Sequence, residues 1–69
     1  MTNEDKQFVY DKAFILLTQF AVEFNNLGTA EQRDDLFSVV DGVLSLVNAV
    51  LGPEVRSELK QLFNRLIAS

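Results

Sequence analysis

Residues 25–32 read Asn25-Asn26-Leu27-Gly28-Thr29-Ala30-Glu31-Gln32, and they divide a long run of helical periodicity into two helices. The first half is turn chemistry, with Gly28 expected to take the left-handed backbone that ends a helix. The second half has the spacing of a capping box, in which the Thr29 hydroxyl and the Gln32 side chain satisfy opposite orphan amides of a new helix. Gly52-Pro53 is a further break. The glycine closes helix two, and the proline suits the first position of helix three, where its missing N–H would have had no partner anyway. The expectation is an all-α fold with three helices per protomer, at about 4–26, 30–51 and 53–67, in a single domain spanning 1–69. Helices joined by such short turns form an antiparallel hairpin, with the C-terminal helix packed across it or onto a second subunit.

The apolar spacing says which faces turn inward. Helix one offers Val9, Tyr10, Ala13, Phe14, Leu17, Phe20, Ala21, Phe24 and Leu27, recurring by threes and fours. Helix two offers Leu36, Val39, Val40, Val43, Leu44, Leu46, Val47, Val50 and Leu51, which cover about half its circumference. Its valines suit strands, yet no period-two alternation is sustained and both ends carry helix signals. Helix three turns Val55, Leu59, Leu62, Phe63, Leu66 and Ile67 inward. Two features exceed what a single core needs. Phe8, Ile15 and Val22 recur at every seventh residue on the face otherwise held by Asp11, Lys12, Thr18 and Gln19. Ser38, Gly42, Ser45 and Ala49 form a track of small residues along helix two, which would let another helix approach closely.

A chain of 69 residues buries too little surface to be comfortably stable alone, so it needs very good helix packing or a partner. The hydrophobic fraction is 48%, and a homodimer is the economical account of that surplus. The dimer contact is assigned to Tyr10, Ser38, Gly42, Ser45, Ala49 and Phe63, with a solvated face as the alternative for the small residues and a core position as the alternative for Tyr10. With no cysteine and no histidine, disulfides and the usual zinc ligands are excluded, and nucleophilic catalysis lacks its usual base. No catalytic residue, cofactor, metal site or small-molecule substrate is expected. The carboxylates of Glu31, Asp34 and Asp35 open helix two, where they favour the positive end of its dipole. Ser38 and Ser45 follow Phe37 and Leu44 instead of the aspartate that precedes a phosphopantetheine serine.

The formal net charge of −4 disfavours nucleic acid and anionic lipid. Arg56, Lys60 and Arg65 on helix three, with Glu54 and Glu58 among them, read as a solvated face. Met1 to Gln7 is polar and acidic where a secretory signal would be basic and then apolar, and the longest apolar stretch, Leu36 to Leu51, carries Asp41 in its middle. A cytoplasmic protein is the resulting expectation.

Two families of small regulator are similar. Met1-Thr2, Lys6, Phe14 and Ala30-Glu31-Gln32 resemble plasmid copy-number regulators, helical-hairpin dimers that bind RNA loops. That family's RNA face uses polar and basic residues along helix one, at places held here by residues such as Tyr10 and Leu17. In length, acidity and helical character, notably the Phe8 to Leu27 helix followed by Thr29-Ala30-Glu31-Gln32, the chain resembles phage-encoded anti-activators of bacterial quorum sensing. The latter resemblance implies a dimer that sequesters the DNA-binding domain of a host transcription regulator in the bacterial cytoplasm. The expected partner surface is Phe8, Ile15 and Val22 with Glu31, Asp34 and Asp35, with a core or dimer contact or incidental exposure as the alternatives for the first three; for the function, an RNA-binding hairpin dimer and a structural assembly module are the alternatives.

Overall fold

A computed structural model describes residues 2–68; Met1, quoted for one resemblance and for the polar start of the chain, lies outside them. Among the described residues the chain is all-helical, with α1 at Asn3–Asn26, α2 at Ala30–Leu51 and α3 at Pro53–Ala68. Helices α1 and α2 each start where a threonine side chain takes up an orphan amide. Thr2 caps α1 in a full capping box: its Oγ1 accepts from the Asp5 amide at 3.1 Å, and the Asp5 carboxylate accepts from the Thr2 amide at 3.3 Å. Thr29 Oγ1 accepts from the Gln32 amide at 3.2 Å, which is the threonine half of the pair expected there.

The two connections work differently from each other. Helix α1 ends at Leu27, whose backbone is extended (φ −78°, ψ 138°) and whose amide donates to the Phe24 carbonyl. Gly28 does not take a left-handed conformation, contrary to the expectation from sequence. Leu27 has already turned the chain out of the helix, so no residue with positive φ is required. At the other break Gly52 does adopt φ 94°. Its amide donates to the Asn48 carbonyl, closing α2, and its carbonyl accepts from the Arg56 amide, opening α3. One residue thus serves both helices.

The chain reverses sharply at each connection. Phe24 of α1 meets Phe37 of α2 at 5.0 Å, and Phe63 of α3 lies 6.5 Å from Phe24 and 6.0 Å from Phe37. An unbroken helix through Gly52 would hold the rings of Phe37 and Phe63 roughly 39 Å apart at 1.5 Å per residue. Helix α3 therefore folds back along α2 and packs on both other helices, making an up-down-up bundle of 41 × 19 × 16 Å. The Asn25 side chain donates to the Leu66 carbonyl at 3.4 Å and ties the ends of α1 and α3 together.

The core is a narrow column. Ala13, Leu17 and Ala21 supply it from α1, Val40, Leu44 and Val47 from α2, and Leu59 and Phe63 from α3. The alanines on either side of Leu17 leave room for the neighbouring helices to approach. Several residues expected inside lie outside it: Phe14, Val39 and Leu46 are exposed. A helix with two neighbours buries one stripe, so the margins of an apolar half-circumference stay in solvent. Phe63, assigned above to a dimer surface, is 1% exposed and belongs to the protomer core.

Phe63→Ala is expected to cost about 3–5 kcal/mol, comparable with the roughly 3–10 kcal/mol available to a chain this small. Circular dichroism should then show a cooperative thermal transition abolished or lowered by tens of degrees, and a melt within a few degrees of wild type would refute the core assignment. Gly52→Ala, which forces a Cβ into positive φ, should lower stability by about 1–2 kcal/mol in urea titration, although a Cβ there would meet no neighbouring atom.

Candidate protein-binding face

Helix α3 covers one side of the α1–α2 hairpin and leaves the other side open. Two hollows follow each other along that open side. At the end remote from the hairpin turn, Phe8, Val9, Lys12, Ala13 and Leu16 face Val43, Leu46 and Val47 around about 200 Å³. Beside the turn, Glu23, Asn26 and Leu27 face Gln32, Asp35, Leu36 and Val39 around about 530 Å³. The first half carries protruding apolar groups, since Phe8 is 62% and Leu46 68% exposed. The second half is a wider, shallow hollow open to solvent, lined mainly by apolar groups with two carboxylates beside them.

Charge is divided between the same two halves. Lys12 places its ammonium 5.3 Å from the centre of the Phe8 ring, an attraction worth about 0.5–1 kcal/mol at an exposed site. Near the turn the nearest cation in sequence, Arg33, is directed elsewhere: it donates to the Leu27 carbonyl at 3.2 Å and lies 5.4 Å from the centre of the Phe24 ring. It thereby supplies the positive charge that the last turn of α1 lacks. Glu23, Glu31, Asp34 and Asp35 dominate this end, and all four are exposed.

The expected partner residues fall into separate places. Phe8, Ile15 and Val22 are all exposed, and α3 does not cover them; Phe8 lines one of the two hollows described, and Ile15 and Val22 line neither. Asp35 lines the recess together with Glu23, whereas Glu31 and Asp34 do not. Among the described residues no group of acidic side chains converges in a way that could hold a metal ion. The expected dimer residues are also divided. Tyr10 is half-buried near the Gly52 end, with Leu51 and Val55 nearby, and its ring stacks on Phe14 at 6.4 Å. Ser38, Gly42, Ser45 and Ala49 are exposed along α2, and a Cβ on Gly42 would meet no neighbouring atom.

Leu16 is the member of this face that sequence reasoning missed. It stands one position from Ile15 and was masked by the seven-residue spacing, although its distance of four from Lys12 and eight from Phe8 puts it on their side of the helix. The arrangement offers apolar contact flanked by charge. Among the described residues no helix is long and apolar enough to cross a membrane. No protein-family model matches this chain, and comparison with curated proteins and with solved structures gives no match.

Arg33 holds the turn end of the face in shape. Arg33→Met should cost about 1 kcal/mol, the scale of an exposed charge-assisted hydrogen bond, seen as a melting temperature lower by about 4–8 °C. An unchanged melt would show that the guanidinium contributes nothing to this turn.

Proposed function

We propose that this chain is a non-catalytic anti-activator that binds the DNA-binding domain of a bacterial transcription regulator in the host cytoplasm and keeps it from DNA. The observation that carries this reading is the recess beside the hairpin turn, where Leu27, Leu36 and Val39 provide apolar contact and Glu23 and Asp35 provide negative charge. A DNA-reading surface is lined with Arg and Lys that contact phosphates and base edges. Carboxylates around an apolar recess meet such a surface with complementary charge, which speeds encounter and sets orientation. The inhibitor and DNA then compete for the same cations. The resemblance to phage anti-activators makes quorum-sensing activators the first regulators to try.

The test uses purified regulator domains bound to their fluorescent operator DNA. Adding the wild-type chain should release DNA at near-stoichiometric ratios, and added salt should weaken capture. Val39→Glu, which places a charge among the apolar residues of the hollow, should raise the concentration needed by about 30-fold, the equivalent of 2 kcal/mol at a central contact. Glu23→Lys with Asp35→Lys should abolish release. DNA binding untouched by an excess of the wild-type chain across the regulators tried would overturn the proposal, as would release that both variants leave intact.

A further inference from the structure

The two hollows are parts of one groove. Val39 lines the hollow beside the turn and Val43 lines the remote one, a single turn further along the same stripe of α2. On α1, Lys12 of the remote hollow and Glu23 of the other stand about three turns apart, which puts both on one stripe. From Phe8 to Leu27 the groove runs roughly 28 Å at 1.5 Å per residue. It is open to solvent along this length, so it does not enclose a small molecule. A docked strand would need an unpaired sheet edge, and among the described residues there is no strand. A proline-rich segment would need an aromatic-lined groove, and Phe8 is the one aromatic residue lining either hollow. An amphipathic helix needs two apolar walls at helical spacing, and those are present. The charges at the two ends give such a helix a direction. Glu23 and Asp35 line the turn end, and Lys12 lines the remote end, where it contacts the Phe8 ring and, among the described residues, makes no ion pair. A helix is positive at its N-terminus and negative at its C-terminus, so its N-terminus belongs beside the two carboxylates and its C-terminus beside Lys12.

We propose that the α1–α2 groove seats one amphipathic helix of a partner protein, lying parallel to α2, with a basic side chain in its first turn against Glu23 and Asp35 and an acidic one about three turns later against Lys12. The separation of the occupant's charges copies that of Lys12 and Glu23 on α1, and about three turns return both to one face of the occupant. Apolar side chains on the same face, spaced by threes and fours, then meet Leu16, Val39, Val43 and Leu46. For the identity of the partner this inference rests on regulator capture, and it deepens that reading by naming the captured element as a single helix of the DNA-binding domain. A recognition helix contacts bases through residues near its N-terminus. That is the end which the two carboxylates receive, so docking removes from DNA the part of the helix that reads it.

The probe is a fluorescein-labelled, stapled amphipathic peptide of about 18 residues, the length that the groove accepts. It carries a leucine face with arginine in the first turn and glutamate about three turns later; a control peptide exchanges those two residues. Fluorescence anisotropy with the purified chain should show the matched peptide binding about tenfold more tightly than the control, with the difference shrinking as salt is added. Lys12→Glu combined with Glu23→Lys and Asp35→Lys should reverse the preference. Leu46→Glu should weaken both peptides about tenfold while helical circular dichroism stays intact, because Leu46 is 68% exposed and its loss leaves the core untouched. Lys60→Glu, exposed on α3, should change neither affinity. A matched peptide that fails to bind, or that binds no better than the control, would overturn the proposal. So would a wild-type dimer in sedimentation equilibrium that Leu46→Glu dissociates and excess peptide leaves intact, since the groove would then belong to a second copy. The DNA-release assay separates this inference from regulator capture. Leu46→Glu should impair release as Val39→Glu does; impairment by Val39→Glu alone would leave capture standing and overturn docking along the whole groove. Peptide binding with the expected preference, but no release from any regulator, would support the helix groove and overturn the regulator reading.

Discussion

A single geometric constraint governs this molecule: an α-helix in a three-helix bundle has two neighbours and buries one stripe of its surface. The sequence puts apolar residues around about half of α2 and adds a second line along α1. Helix α3 can lie against one side of the hairpin only. What it covers becomes the column from Ala13 to Phe63, and what it leaves becomes an open face with Phe8, Leu16, Val39 and Leu46 in solvent. The core and the candidate binding surface are therefore two sides of one hairpin.

The polar contacts set the shape of that face. Phe24, Phe37 and Phe63 meet edge to face beside the hairpin turn and bring all three helices together there. Arg33 closes the turn by reaching the Leu27 carbonyl, and Asn25 ties α1 to the end of α3. These contacts give Arg33, the cation nearest the turn in sequence, a structural task. The carboxylates of Glu23 and Asp35 consequently give the recess its sign, while Lys12 gives the opposite end a positive group held over an aromatic ring.

The helices were legible because their signals are local. Thr29 before Gln32 and Gly52 before Pro53 each act over a few residues, and the structure keeps the threonine half of the first and the whole of the second. Thr2 and Asp5 form an equally local cap at the start of α1. The conformation of Gly28 is not legible from its own residue type because it depends on what Leu27 does one residue earlier. The division of the apolar surface was less legible. Val39 and Val40 are adjacent and chemically identical, yet Val39 is 50% exposed and Val40 is buried, and only the position of α3 decides between them. Phe63 was assigned to an interface for its aromatic character, but burial follows from its place opposite Phe24 and Phe37. The acidic end was visible as composition. The pairing of Asp35 with Glu23 across the recess required the antiparallel alignment of two helices.

The single-residue joint at Gly52 has a kinetic consequence. With connections this short, every helix lies beside its neighbour in sequence, and little loop entropy has to be overcome before helices meet. Helical bundles with such local connectivity fold in microseconds to milliseconds. A chain that leaves a ribosome with so much apolar surface is most exposed to aggregation before its helices dock. Rapid closure of α3 over half of that surface shortens this interval and leaves only the face that the folded protein keeps open.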